Sequence, residues 1–156
     1  MAHYVKGLIA RRDTLRLLED EFRGQPSFDL AAGFAFLPLD HENLDDILGL
    51  HEGKKTVGEF MYLTQYLAEH LCAASRSGEL AYVETEYHGG IGGQGAAVFR
   101  DGSIVFGPEW RERDSINKAL SEIGFLCRPD QVDEFAAIGL MKYRSNEDFR
   151  ESVKAS

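Results

Sequence analysis

The chain carries two cysteines, four prolines and one tryptophan in 156 residues, and it has no long hydrophobic run. Cys72 and Cys127 are too few for a disulfide framework, and a zinc site needs more ligands at closer spacing. Both fall in apolar settings and read as buried thiols of a reducing compartment. The longest apolar stretch, residues 31–39, is far below a membrane span. Basic residues are also scarce: 17 Lys and Arg stand against 26 Asp and Glu, a net charge of −9 that disfavours nucleic acid as a partner. Residues 4–10 are mostly apolar and precede Arg11 and Arg12, the reverse of a signal peptide's order, so the expected compartment is the cytoplasm.

Glycine, by contrast, is plentiful, with 16 residues clustered most densely between Gly89 and Gly95. Gly90, Gly92 and Gly95 match a Gly-x-Gly-x-x-Gly pattern, which suggests a dinucleotide site only where a helix follows. Here the next residues, 96–100, are short and mostly apolar and run into Asp101-Gly102, a strong hairpin signal. The segment 80–110 therefore reads as three strands, with the glycines forming a wide, bulged connection. A two-residue turn at Asp101-Gly102 pairs Phe99 with Ile104 and Ala97 with Phe106, all four on one face. Gly107-Pro108 is expected to end the sheet.

Elsewhere, residues 4–10 and 31–37 read as strands, and helices are expected from six starts. Asp13 or Thr14 caps the first, with Leu15, Leu18 and Phe22 inward, closed by Gly24. Asp40 caps a short second helix carrying Leu44, Ile47 and Leu48. Thr56 and Glu59 form a capping box for a third, whose stripe is Phe60, Leu63, Leu67, Leu71 and Ala74, with His70 at its rim. Asp114, Asp130 and Ser145 cap the last three. Segregated strands and helices predict one α+β domain over residues 1–156: a mixed, mainly antiparallel sheet with helices packed on one side.

Two constellations carry possible chemistry. Glu84, Glu86 and His88 alternate along one strand face beside the glycines, so a metal or anion site would draw on these three with Gly90, Gly92 and Gln94. The competing reading is a solvated strand face, with Val83, Thr85 and Tyr87 on the buried side. The other constellation is charge. From Asp40 to Glu86 there are ten acids against three bases, a local charge of −7 that suits a basic protein partner. Asp40, Glu42, Asp45 and Asp46 are the candidate contacts, with Trp110 and Arg111 as anchors of the kind that dominate interfaces.

The chain resembles a group of small, uncharacterised bacterial proteins. The likeness rests on Gly33-Phe-Ala-Phe-Leu-Pro-Leu-Asp40, on Ala81-Tyr-Val-Glu-Thr-Glu-Tyr87 followed by Gly89-Gly-x-Gly-x-Gln94, and on Asp101-Gly102 with Gly107-Pro108. It extends loosely to Ser115-Ile-Asn-x-Ala-Leu120 and Asp133-Glu-Phe135. The resemblance implies a fold and brings no activity or catalytic residue with it. In size, acidity and lack of a catalytic motif, the chain is also similar to bacterial immunity proteins that neutralise toxins. The functional expectation is a binding protein without catalysis or cofactor, with no membrane or nucleic-acid partner; the alternative is a small metal- or anion-binding domain.

Overall fold

Four short runs decide the architecture: Leu8-Ile-Ala10, Phe34-Ala-Phe-Leu37, Leu80-Ala-Tyr-Val83 and Ala96-Ala-Val-Phe99 are apolar at every position. A strand with one wet face alternates apolar and polar residues; an unbroken apolar run of this length fits a strand covered on both faces. The computed structural model, which describes residues 2–22, 26–40 and 56–154, places all four runs in one sheet.

The strands are β1 (Ala2–His3), β2 (Lys6–Arg11), β3 (Phe28–Asp29), β4 (Phe34–Pro38), β5 (Leu80–His88), β6 (Ile91–Arg100) and β7 (Ser103–Arg111). Their order is β3-β4-β2-β5-β6-β7, every neighbouring pair is antiparallel, and β1 adds to β5 beyond the end of β2. The helices are α1 (Arg12–Glu19), α2 (Gln65–Ala74), α3 (Ser115–Glu122), α4 (Glu134–Ile138) and α5 (Asn146–Lys154). An α+β fold with a mainly antiparallel sheet is thus what the chain adopts.

Helices cover both faces, not one. Leu8, Ala10, Ala35, Leu37, Leu80, Tyr82, Ala97 and Phe99 pack with Leu15 and Leu18 of α1 and with Leu67 and Leu71 of α2. Their strand neighbours Ile9, Phe34, Phe36, Ala81, Val83, Ala96 and Val98 pack with Ile116 and Leu120 of α3, Ile138 of α4 and Phe149 of α5. The period-two alternation of side chains splits each apolar run between two cores.

Several local expectations are corrected. The glycine cluster is no wide loop: His88 pairs with Ile91, so Gly89 and Gly90 alone make the turn, both at positive φ, and Gly92, Gly93 and Gly95 lie within β6. No helix follows them. At the next hairpin Phe99 pairs with Ile104 as expected, but Val105 is an extra residue in β7, so Phe106 pairs with Val98 instead of Ala97. Phe106 thereby joins the second core. The sheet does not stop at Gly107-Pro108, whose peptide bond is cis; β7 continues to Arg111. That placement suits proline, because β7 is an edge strand and needs no donor on its open side.

Helix starts differ too. α1 follows directly on β2 with Arg11 at its N-cap and no side-chain cap, so neither Asp13 nor Thr14 serves. α2 begins at Gln65, where Thr64 Oγ1 accepts from the Leu67 N–H (3.1 Å). α4 is capped by Asp133 instead of Asp130, through the Ala136 N–H (2.8 Å). Ser145 does cap α5, its hydroxyl accepting from the Asp148 N–H. α1 ends at Glu19, one turn before the expected stop at Gly24, and the helix expected after Asp40 lies outside the described residues.

The β5–β6 turn separates two kinds of glycine. Gly89 has φ +61° with no atom within 4 Å of a built Cβ, whereas a Cβ on Gly92 would lie 1.8 Å from the Glu86 carbonyl oxygen. Gly89→Asn, a residue at home in such turns, is expected to leave stability within about 0.5 kcal/mol. Gly92→Ala is expected to cost more than about 2 kcal/mol, since the two strands must separate. Urea unfolding of the two variants measures both.

Candidate functional site

Glu84 is the most distinctive ionisable group in the described chain. It sits mid-strand on β5, yet it is 2% exposed, because the loop of residues 56–64 folds over it. A bridge between Thr56 and Thr64 closes that loop, helped by the Val57 N–H donating to the Leu63 carbonyl. Three successive backbone donors then turn inward onto the carboxylate. Met61 N–H donates to Oε1 (2.9 Å), Leu63 N–H to Oε2 (2.9 Å), and Tyr62 N–H is shared between both oxygens (3.2 Å each). Tyr82 Oη–H, two residues earlier on the same face, donates to Oε2 at 2.8 Å.

This clamp explains why Thr56 and Glu59 form no capping box. In a helix starting there, the N–H groups of residues 61–63 would bond carbonyls four positions back; Glu84 takes them instead. Phe60 and Leu63 remain buried at 4% and 0%, so the helix-like spacing records burial in a loop.

The same geometry removes Glu84 from the expected ligand trio. Burial pushes its carboxyl above the ordinary value of 4.5, while hydrogen bonds from Tyr82 and from the three amides pull in the opposite direction. Tyr82, fully buried, is driven well above the usual phenol range by burial first and the neighbouring carboxylate second, so it stays a donor. Glu86 is half-buried, and His88 is exposed with its Nδ1 3.1 Å from Tyr4 Oη. The three do not converge, and no group of three or more His, Cys, Asp or Glu with metal-holding geometry occurs among the described residues. A pocket of about 120 Å³ lies between Lys6, Tyr62, Glu84 and Glu86. That is far below the volume of usual small-molecule sites.

Gln94 is also structural. Its Oε1 accepts the Ile116 N–H at 2.7 Å, capping α3 from a strand, and its Nε2 donates to Tyr87 Oη at 2.9 Å. Tyr87 in turn donates to the Glu112 carbonyl. Asp114, the expected cap, has φ +73° and makes no cap bond. Gly90 shapes the turn with open space beside it, whereas Gly92 lies against the Glu86 carbonyl.

Of the expected partner residues, Asp40 is tied to α5: it accepts from Asn146 Nδ2 (3.0 Å) and pairs with Arg150. Trp110 turns inward, half-buried, with its ring 5.7 Å from Phe60 in an edge-to-face contact. Arg111 is exposed but paired with Glu109 at 2.7 Å. Glu42, Asp45 and Asp46 lie outside the described residues. Cys72 and Cys127 are half-buried, and both thiols are raised above 9.0, first by burial and next by Glu69 or Glu134, which is opposite to an activated nucleophile.

An exposed surface missed in the sequence joins α1 and α2. The His70 ring of α2 meets Phe22 (5.6 Å), and its Nε2 lies 3.7 Å from Glu21, both in the turn that follows α1. Together these elements carry Asp13, Asp20, Glu21 and Glu69, with Arg16 as counter-charge, and expose Leu17 (63%) and Tyr66 (52%). The signal was present as Asp13, Leu17 and Asp20–Glu21 at helical spacing opposite Leu15, Leu18 and Phe22. Comparison with protein-family models, with curated proteins and with solved structures gives no match to this chain.

Glu84→Gln is expected to cost about 2 kcal/mol, because the amide turns two hydrogens toward groups that are themselves donors. The raised carboxyl gives the pH dependence. The folded chain holds that proton more tightly than the unfolded chain, so its contribution is full below pH 4.5 and is lost as pH rises through the folded value. Urea midpoints across pH should show the advantage of the wild type over Glu84→Gln shrinking as pH rises from 4.5, with the Glu84 carboxyl titrating above that value by NMR.

Proposed function

We propose that this chain is a non-catalytic binding protein that engages a basic protein partner through an acidic surface, in the manner of an inhibitor or immunity protein. The observation that carries this reading is the outer side of α1 and α2. Among the exposed residues of α1, the turn after it and α2, the four carboxylates Asp13, Asp20, Glu21 and Glu69 stand against Arg16, and the apolar side chains Leu17 and Tyr66 are exposed with them. Such a surface attracts a cationic partner at long range and offers apolar contact at short range. The ten-to-three excess of acids from Asp40 to Glu86 adds to that field.

A second support comes from how the described polar groups are used. Glu84, Gln94 and Asp40 each satisfy backbone or side-chain donors of their own chain. Their chemistry is spent on holding loops and helices, which supports a reading in which the partner is met by the exposed acidic surface. In this mechanism the carboxylates raise the association rate and the apolar anchors slow dissociation.

A complex cross-linked in the source cells and then rebuilt from purified components tests the reading. The association rate is expected to fall about tenfold or more between about 20 mM and about 200 mM salt. Asp20→Lys, Glu21→Lys and Glu69→Lys together should lower it similarly, and Leu17→Ala should act on dissociation. A complex indifferent to salt and to these charge reversals, or an uncharged or acidic partner, refutes it.

A further inference from the structure

A cavity of about 440 Å³ opens where β1, the β5–β6 turn and α4 meet, remote from the α1–α2 surface. Its volume lies within the range of small-molecule sites. Ala2, Phe135 and Met141 supply an apolar wall, and Met141 is 62% exposed at its rim. Arg113 and Arg144 both line it, an unusual pairing in a chain of net charge −9. Arg113 is exposed and makes no ion pair among the described residues. The carboxylate in the lining, Asp133, is already used: Oδ1 caps α4 through Ala136, and Oδ2 is 3.5 Å from the Asn117 amide nitrogen.

The remaining polar walls are fixed and satisfied. His3 Nε2–H donates to the Leu140 carbonyl (3.3 Å), which leaves Nδ1 to accept from the Thr85 hydroxyl at 2.6 Å. That is a neutral tautomer, and burial holds the imidazole below its ordinary 6.5. The His3 ring packs on Phe135 with centroids 5.4 Å apart, extending the flat apolar surface. On the opposite side Gln94 and Tyr87 hold one another at 2.9 Å. The remaining walls therefore offer a polar ligand little, and Arg113 and Arg144 are the cationic residues of the lining.

We propose that this cavity binds a small organic anion, a carboxylate or phosphate carried on a flat apolar body. The head group lies between Arg113 and Arg144, and the body rests on Phe135, His3 and Met141. Guanidinium forks suit both head groups, and the apolar wall selects against a bare inorganic ion.

Titrations with 2-naphthoate and 2-naphthyl phosphate, followed by heteronuclear NMR, test the site. The controls are 2-naphthalenemethanol and inorganic phosphate, which keep the body or the head group alone. At least one of the two anions should shift the amides of Gln94, Arg113 and Phe135 saturably, and which one does so identifies the head group. Each control is expected to bind about tenfold or more weakly, and Arg113→Gln and Arg144→Gln should each weaken the anion by a similar factor. Arg113→Gln changes an exposed side chain, so the fold is preserved; an unchanged amide spectrum away from the cavity verifies this. Saturation by neither anion at millimolar concentration, equal binding of either control, or indifference to Arg113→Gln overturns the proposal.

Discussion

A buried carboxylate organises half of this molecule. Taking Glu84 out of water costs several kcal/mol, and four donors that meet it in the folded chain offset part of that cost. Three of those donors belong to one loop. Holding them fixes the path of residues 60–63, brings Thr64 to the position from which it caps α2, and seats Phe60 between Tyr82 and Trp110. The interaction is local in chemistry and long-range in effect: it joins β5, α2 and β7 through a single side chain.

Gln94 plays the matching part on the opposite face of the sheet. Its two amide ends join β6 to the start of α3 and to Tyr87 of β5. In both cases a polar strand residue takes over what helix-capping side chains or backbone partners would otherwise do. The order of a helix start is then set by a residue distant in sequence, 22 positions away for Gln94 and Ile116.

This explains which parts of the fold were legible in the sequence. The strands and the Asp101-Gly102 turn were readable because their signals are local: apolar runs and turn residues act on their immediate neighbours. The placement of α2 was not, since the spacing of Phe60, Leu63 and Leu67 is shared by a helix and by a loop pinned against a core. Only the partner of the loop amides distinguishes the two, and Glu84 lies more than 20 residues downstream. The helices on both faces were written in the unbroken apolar runs, which an expectation of one wet face left unused. The Glu84, Glu86 and His88 alternation was read correctly as a shared face; whether that face met water or a loop depended on tertiary packing. For the candidate sites, the acidic character was visible in composition, whereas the placing of Arg113 and Arg144 in the lining of one cavity is a product of topology alone.

The last strand of the sheet bears on the behaviour of many copies together. β7 presents an open margin nine residues long, and an open margin is a template on which a neighbouring chain can add a strand. Val105 and Gly107-Pro108 interrupt it twice, and proline contributes no amide hydrogen. At the far side of the sheet, β3 is two residues long. Each border thus lacks a straight ladder long enough to recruit another molecule, so fibre-like stacking is discouraged by backbone shape itself, independently of the repulsion that the chain's negative charge supplies.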